Sequence, residues 1–322
     1  MGVPAEVHRI ALLIKSMRVR GAGRIARTAA YAMKVAAQKY SGNDLNEFKS
    51  YMRGVAQLLG STRPTAVSLH NALRYVLNRV ERAQSIEEAV VAAVSAADSF
   101  IEASLNAVGV ISEIGSKLIE DGDTVLTHCN SSAALAVLKA AHSSGKRIRV
   151  YATETRPKFQ GLLSYRELAE NGIPVTLIPD SAVRFVMREV DKVVVGADTV
   201  TANGAVINKV GTSLIALAAH EARVRFYVAT ETYKFSPATV LGELVTIEER
   251  GPEEVVPLDL LTSHPNLKVR NPAFDVTPPD YIDAIITERG VIPPKAAAVI
   301  LLEDYGATLA EELATITIDI ED

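Results

Sequence analysis

The one cysteine of this 322-residue chain, Cys129, stands where a short apolar run meets a strong helix former. Asp123 to His128 reads as a buried strand, Cys129 to Ser132 as a turn, and Ala133 to Ala141 as a helix. A thiol at that junction faces free N–H groups and the positive end of a helix dipole. Both lower its pKa and fit it to act as a base or nucleophile. The same turn can hold a phosphate. The alternative is an inert, buried cysteine.

Asp198, in Gly196-Ala197-Asp198, follows the apolar strand Val193 to Val195. A carboxylate emerging from a buried strand suits general acid chemistry if burial raises its pKa; otherwise it caps a turn. Asn208 and Lys209 precede Gly211-Thr212 and a helix start, which makes an anion site. Arg20-Gly21-Ala22-Gly23 begins a G-x-G-x-x-A pattern. A helix rather than a strand precedes it, so the dinucleotide-binding reading fails. What remains is a phosphate site at a glycine turn that opens a helix beside Arg20, or simply a tight turn between helices. Arg63 stands before a helix start with Pro64 in its first turn, and its guanidinium can grip a phosphate or sugar hydroxyls. Lys234 lies between Tyr233 and Phe235, after Glu231 at a strand end, and either binds a second anion or snorkels to the surface. Asn271 to Pro279 reads as a rigid crossover from which Asp275 can face the site.

His8, His70, His128, His142, His220 and His264 form no close pair at ligand spacing, so no metal and no metal cofactor is expected. His128 adjoins Cys129, but neighbours on a strand point to opposite faces, which argues against a thiolate–imidazole pair.

These residues need elements to place them. The first third reads as helices: Val7, Ile10, Ala11, Ile14 and Met17 share one helix face, Arg24 to Tyr40 forms a second helix, and Leu45 to Leu59 a third. Thr65 to Val80 makes a fourth. Ser85 and Glu88 form a capping box for a long fifth helix, with a wobble expected from Gly109 to Glu120. From Asp121 onward short β-rich runs alternate with helices. Strands are expected at Thr124–His128, Ile148–Thr153, Val175–Ile178, Lys192–Val195, Arg225–Ala229 and Ile282–Thr287. Helices are expected at Ser132–His142, Tyr165–Asn171, Ser181–Val190 and Thr212–His220. The expected fold is therefore α/β: an N-terminal helical domain (1–120), then a Rossmann-like, mostly parallel sheet with helices on both faces (121–322). Ligands of such sheets bind beyond the carboxyl ends of the strands, where Cys129, Glu154, Asp180, Asp198 and Glu231 fall.

A net charge of −4 argues against general nucleic-acid binding. One cysteine excludes an internal disulfide framework and suits a reducing cytoplasm. No signal pattern opens the chain, and the longest apolar stretch, Ala89 to Ala97, reads as a soluble helix, so no membrane association is expected. The acidic end, Asp319 to Asp322, reads as a solvated tail.

Taken as a set, Arg20-Gly-Ala-Gly, Arg63-Pro-Thr-Ala-Val, Thr127-His-Cys-Asn-Ser, Gly196-Ala-Asp, Asn203-Gly-Ala-Val-Ile-Asn-Lys-Val-Gly-Thr and Asn271-Pro-Ala-Phe-Asp-Val-Thr-Pro-Pro resemble the sugar-phosphate isomerases related to the regulatory subunits of a translation-initiation exchange factor. The resemblance covers most of the chain, and within the family it points to the archaeal bisphosphate isomerases. The methylthioribose 1-phosphate branch carries a proline where this chain has Gly23. The exchange-factor subunits usually lack one of the cysteine and the aspartate, and here both Cys129 and Asp198 are present.

The resemblance implies conversion of ribose 1,5-bisphosphate to ribulose 1,5-bisphosphate, feeding RuBisCO in AMP metabolism. Cys129 would be the base and Asp198 the acid. Substrate contacts would come from Arg20, Gly21, Ala22, Gly23, Arg63, Ser131, Ser132, Ala133, Asn208, Lys209 and Lys234. It implies no redox cofactor and a homo-oligomer built of dimers, and it leaves AMP open as an activator. The rival readings are a non-catalytic regulatory subunit that binds a nucleotide or sugar phosphate, and methylthioribose 1-phosphate isomerase.

Overall fold

The computed structural model describes residues 2–306, so the acidic tail lies outside the described residues. Five helices come first: α1 (Ala5–Lys15), α2 (Ala22–Gln38), α3 (Leu45–Gly60), α4 (Val67–Arg82) and α5 (Ile86–Ser116). The alanine face of α2 (Ala26, Ala29, Ala30, Ala36) is buried, because side chains this small let α1, α3 and α4 approach closely. Asp44 caps α3, its carboxylate accepting from Glu47 N at 2.8 Å. The capping pair of α5 is present in altered form: Glu88 N donates to Ser85 Oγ, while the Glu88 carboxylate accepts from Gln84 N rather than Ser85 N.

By internal contacts the chain divides into two compact units, Met1–Ala107 and Val108–Asp322; the division falls inside α5 rather than at Asp121. The helix runs unbroken through Gly109 and ends at Ser116, inside the stretch of the expected wobble. At 31 residues, α5 is long and apolar enough, by length and composition alone, to cross a bilayer. Ala89, Ala93, Ala96, Ala97 and Phe100 are buried, Asp98 pairs with Lys34 at 2.7 Å, and Ser104 accepts from Arg27 at 3.0 Å.

The second unit is the α/β part. In chain order it holds β1 (Thr124–Thr127), α6 (Ser132–Ser143), β2 (Arg149–Thr153), α7 (Gly161–Glu170), β3 (Val175–Ile178), α8 (Val183–Val186), β4 (Lys192–Val195), β5 (Thr199–Val200) and β6 (Val206–Lys209). It continues with α9 (Thr212–Ala222), β7 (Arg225–Ala229), α10 (Leu258–Ser263), β8 (Phe274–Thr277), β9 (Ala284–Thr287) and β10 (Gly290–Ile292). The main sheet runs β10-β9-β7-β4-β1-β2-β3, parallel except for the last hairpin strand β10. Alternate strand residues face opposite cores. Val125, Val150, Val194, Ala229 and Ile286 pack with α6, Leu168 of α7 and Ile111 of α5. Leu126, Val193, Val195, Val228 and Ile285 pack with α8 and Ile215, Ala216 and Ala219 of α9. Helices thus cover both faces, as the βαβ rhythm predicts.

Three local expectations change. The helix expected over Ser181–Val190 is only the four residues of α8 between 3₁₀ turns. Pro64 precedes α4 rather than lying in its first turn. The expected crossover at Asn271–Pro279 contains β8, which joins β5 and β6 in a separate antiparallel sheet.

Candidate active site

Strand order explains why residues far apart in sequence meet. From β1 the chain moves outward through β2 and β3, then returns to β4 on the other side of β1. The carboxyl ends of β1 and β4 therefore flank the crevice where the winding reverses, the usual ligand position in this architecture. Cys129 follows β1 and Asp198 follows β4. Neighbouring strand ends supply Thr155 after β2 and Glu231 to Lys234 after β7. A parallel bridge from Val200 to Phe235 lays the Lys234 segment beside β5, just past Asp198.

Cys129 takes a left-handed backbone, φ 65°, unusual for a residue with a side chain and costing on the order of 1–3 kcal/mol. Its N–H donates to Thr155 Oγ1 at 2.9 Å, and its carbonyl accepts from Ser164 Oγ at 2.6 Å. The thiol departs from the sequence expectation: burial pushes its pKa up to about 11, against the pull of Lys209, the Asn130 N–H and Arg250, while Asp198 adds to the rise. Desolvation outweighs the helix end. Lys209, in turn, is held below the ordinary lysine range by burial and by Arg250, and is drawn back by Cys129, Asp198 and Glu248. Cys129, Asp198, Lys209, Arg250 and Glu248 thus form one electrostatic cluster.

Around the thiol, Ser131 caps α6, its hydroxyl accepting from Ala134 N at 3.3 Å. The N–H groups of Ser132 and Ala133 meet no acceptor among the described residues, which leaves them available to an anion. Gly196 makes this corner possible, since a Cβ there would stand 2.2 Å from Ser131 Oγ. His128 stays out of the chemistry. Its ring bonds Thr153 Oγ1 at 2.5 Å and Val210 O at 3.0 Å, and burial drives its pKa down to about 4.

Asn208 donates to Thr212 Oγ1 at 3.0 Å, and Lys209 Nζ donates to Ala273 O at 2.6 Å. The anion site expected at the α9 start is already filled by the protein: Asp275 accepts from Gly211 N at 2.7 Å and from Ser213 N at 3.1 Å. Burial raises this carboxyl to about 6 against those bonds. Lys234 is likewise engaged, its ammonium 2.6 Å from Glu231 in a buried pair, with Tyr233 donating to the same carboxylate. Burial opposes the Glu231 charge, but Lys234 and Tyr233 prevail and keep that carboxyl below its ordinary range.

Arg20, Gly21, Ala22, Gly23 and Arg63 belong to the N-terminal unit. Gly21 precedes α2 at φ 83°, the reason for glycine there, and Arg20 Nε donates to Met17 O at 2.8 Å. Ser68 Oγ donates to Ala22 O at 3.0 Å, so the first turns of α2 and α4 meet and the loop bearing Arg63 shares their end.

Arg250 and Glu248 were not legible in the sequence. They pair at 3.0 Å on an irregular stretch that hydrogen-bonds along Asn271 to Ala273. Its acidic neighbours make Arg250 look like a surface residue, yet its side chain is only 9% exposed. Thr155 and Ser164 carried no local signal either, whereas Asp180 falls at an expected strand end. A cleft of about 420 Å³ lined by His220, Arg225 and Asp283 opens at the amino ends of β7 and β9, at the other end of the strands from Cys129 and Asp198.

The family model described as the initiation factor 2 subunit family matches residues 18–294. A ribose 1,5-bisphosphate isomerase from Thermococcus kodakarensis is 54% identical over 314 residues, covering 96% of this chain and 98% of that protein. A methylthioribose-1-phosphate isomerase from Heliobacterium modesticaldum is 42% identical, covering 87% and 86%. Among solved structures, a translation initiation factor eIF-2B from Pyrococcus horikoshii OT3 superposes with a TM-score of 0.78 at 33% identity, covering 90% and 98%. The chain belongs to the initiation factor 2 subunit family.

Proposed function

We propose that the chain is an aldose–ketose isomerase converting α-D-ribose 1,5-bisphosphate to D-ribulose 1,5-bisphosphate. The observation that carries the reading is the placement of Cys129 and Asp198 just past the adjacent strands β1 and β4, whose carboxyl ends flank the switch-point crevice, with Lys209 and Arg250 acting on the thiol as cations. The full-length similarity to an isomerase of that name supports the substrate.

The phosphate on C1 prevents simple ring opening to a free aldehyde. Asp198 gives its proton to the ring oxygen as the C1–O bond breaks, and the Cys129 thiolate removes the proton from C2. An enol phosphate results. The thiol then returns a proton to C1, Asp198 takes the C2 hydroxyl proton, and the C2 ketone forms. Both groups end as they began, and only protons move.

A thiol with a pKa near 11 enters as SH. The proposed chemistry requires the pair's one proton on Asp198 instead, with Lys209 and Arg250 holding the thiolate that this leaves. Ser131, Ser132 and Ala133 bind one phosphate at the α6 N-terminus, with Asn208, Lys209 and Lys234 completing the substrate contacts. Arg20, Gly21, Ala22, Gly23 and Arg63 form a further anion site of the N-terminal unit. The enzyme is read as cytoplasmic and homo-oligomeric, with RuBisCO as consumer of the product. Exposed Leu12, Val91 and Leu105 are available for subunit contacts.

The test is incubation with α-ribose 1,5-bisphosphate, with and without AMP, alongside Cys129→Ser. Product from the wild type alone supports the reading. No product, but turnover of methylthioribose 1-phosphate, moves the chain to that branch. Sugar-phosphate or nucleotide binding without any turnover, with a stable complex with translation factors, favours a regulatory subunit.

A further inference from the structure

Cys129 has a side chain, yet it sits in the backbone region that favours glycine. Something must hold it there, and the structure shows what does. Thr155 Oγ1 accepts the Cys129 N–H at 2.9 Å, and Ser164 Oγ donates to the Cys129 carbonyl at 2.6 Å. Both polar groups of the residue are taken by hydroxyls whose side chains are fully buried.

Each hydroxyl is itself anchored. Thr155 is left-handed too, at φ 61°, and the Asp180 carboxylate accepts its N–H at 2.8 Å and that of Arg156 at 2.7 Å. Ser164 rides on α7, which starts at Gly161. A Cβ at Gly161 would stand 1.7 Å from Thr153 O, so the glycine lets α7 lie against β2 and reach the Cys129 turn. Asn130 Nδ2 donates to Ser164 Oγ at 3.0 Å. The peptide groups on both sides of the Cys129 Cα are thus held. This sets the direction of the Cα–Cβ bond, and so the place of the sulfur.

We infer that Thr155 and Ser164 are positioning residues for the Cys129 thiol, a pair of hydroxyls that holds its backbone left-handed so that the sulfur stays within the Asp198–Lys209–Arg250 cluster. This rests on Cys129 being the proposed base. Asp180 acts one step further out, through the Thr155 N–H.

The substitutions are Thr155→Val, which keeps the branched Cβ and removes the hydroxyl; Thr155→Ser, which keeps the hydroxyl; and Ser164→Ala. With one cysteine in the chain, alkylation by iodoacetamide reads Cys129 alone. Thr155→Val is expected to lower kcat about 10- to 100-fold with KM within about threefold, since a misplaced reacting group costs rate rather than affinity. Its alkylation at neutral pH should rise, because a released thiol escapes the desolvation that raises its pKa. Thr155→Ser should restore both readouts, and Ser164→Ala should move both in the same direction as Thr155→Val.

Wild-type alkylation and kcat in a folded Thr155→Val would overturn the inference. So would equal damage in Thr155→Ser, which would assign the effect to the methyl group. Should Thr155→Val not fold, Thr155→Ser and Ser164→Ala decide by the same two readouts. Full turnover in Cys129→Ser would sink the base assignment instead, and the alkylation profiles would still report on the clamp.

Discussion

Cys129 and Thr155 are both side-chain-bearing residues in left-handed backbone, and the N–H of the first donates to the hydroxyl of the second at 2.9 Å. Two strained residues on adjacent strand ends, β1 and β2, thus support one another. Strain of this kind persists only where surrounding bonds over-determine it. Here Asp180 and Ser164 supply those bonds, and the strained pair lies beside the cluster that the proposed chemistry uses.

Cys129→Ser and Asp198→Asn should each lower kcat by about 10³-fold or more, because each removes one member of a proton-transfer pair. Substrate should still bind within about tenfold of wild type, as measured by calorimetry. A variant that keeps near-wild-type turnover would remove its residue from the mechanism.

Arg250→Ala should raise the Cys129 pKa above the value near 11, since Arg250 pulls it down. The alkylation rate at a fixed alkaline pH should fall, and kcat should drop by roughly tenfold. Arg250→Lys should recover part of both effects by restoring the charge without the fork. Unchanged alkylation in Arg250→Ala would show that its charge does not reach the sulfur.

His128 has a native pKa near 4 against an ordinary 6.5. The native state therefore binds this proton less readily than the unfolded chain. The stability it contributes is complete above pH 6.5 and is lost as pH falls through 4. Urea unfolding between pH 7 and pH 4 should show a decline of at most about 3 kcal/mol from this residue. In His128→Gln the slope in that window should be shallower, at a lower overall stability. An identical slope would assign the acid sensitivity to carboxylates.

Gly196→Ala should raise KM more than it lowers kcat. The added Cβ would press on Ser131 Oγ, 2.2 Å away, and disturb the α6 cap and the N–H groups proposed to hold phosphate. Steady-state kinetics with the bisphosphate would check this; a wild-type KM would detach the α6 N-terminus from substrate binding.

Much of the α/β unit was readable from residue patterns. The expected strands Val175–Ile178, Lys192–Val195 and Arg225–Ala229 match β3, β4 and β7, and β1 and β2 differ from expectation by one residue at an end. Buried parallel strands are continuous apolar runs, and such runs stand out between alanine-rich helices. The sheet of β5, β6 and β8 was not legible. Its strands have two to four residues, and two of its members lie far apart in the chain. That sheet matters to the site, because it sets Lys209 on the Ala273 carbonyl and Asp275 on the α9 start.

The candidate chemistry divides in the same way. Residue types and spacing were enough to single out Cys129, Asp198, Asn208 and Lys209, because each adjoins a strand end or helix start that local patterning reveals. Packing decided the rest. It desolvated the thiol enough to reverse the expected direction of its pKa, filled one expected anion site with Asp275, paired Lys234 with Glu231, and brought in Arg250 from a stretch without periodicity. Local sequence encodes backbone conformation through neighbours a few residues away. Desolvation and charge at a buried atom depend on groups brought from distant parts of the chain, and only the tertiary fold assembles those.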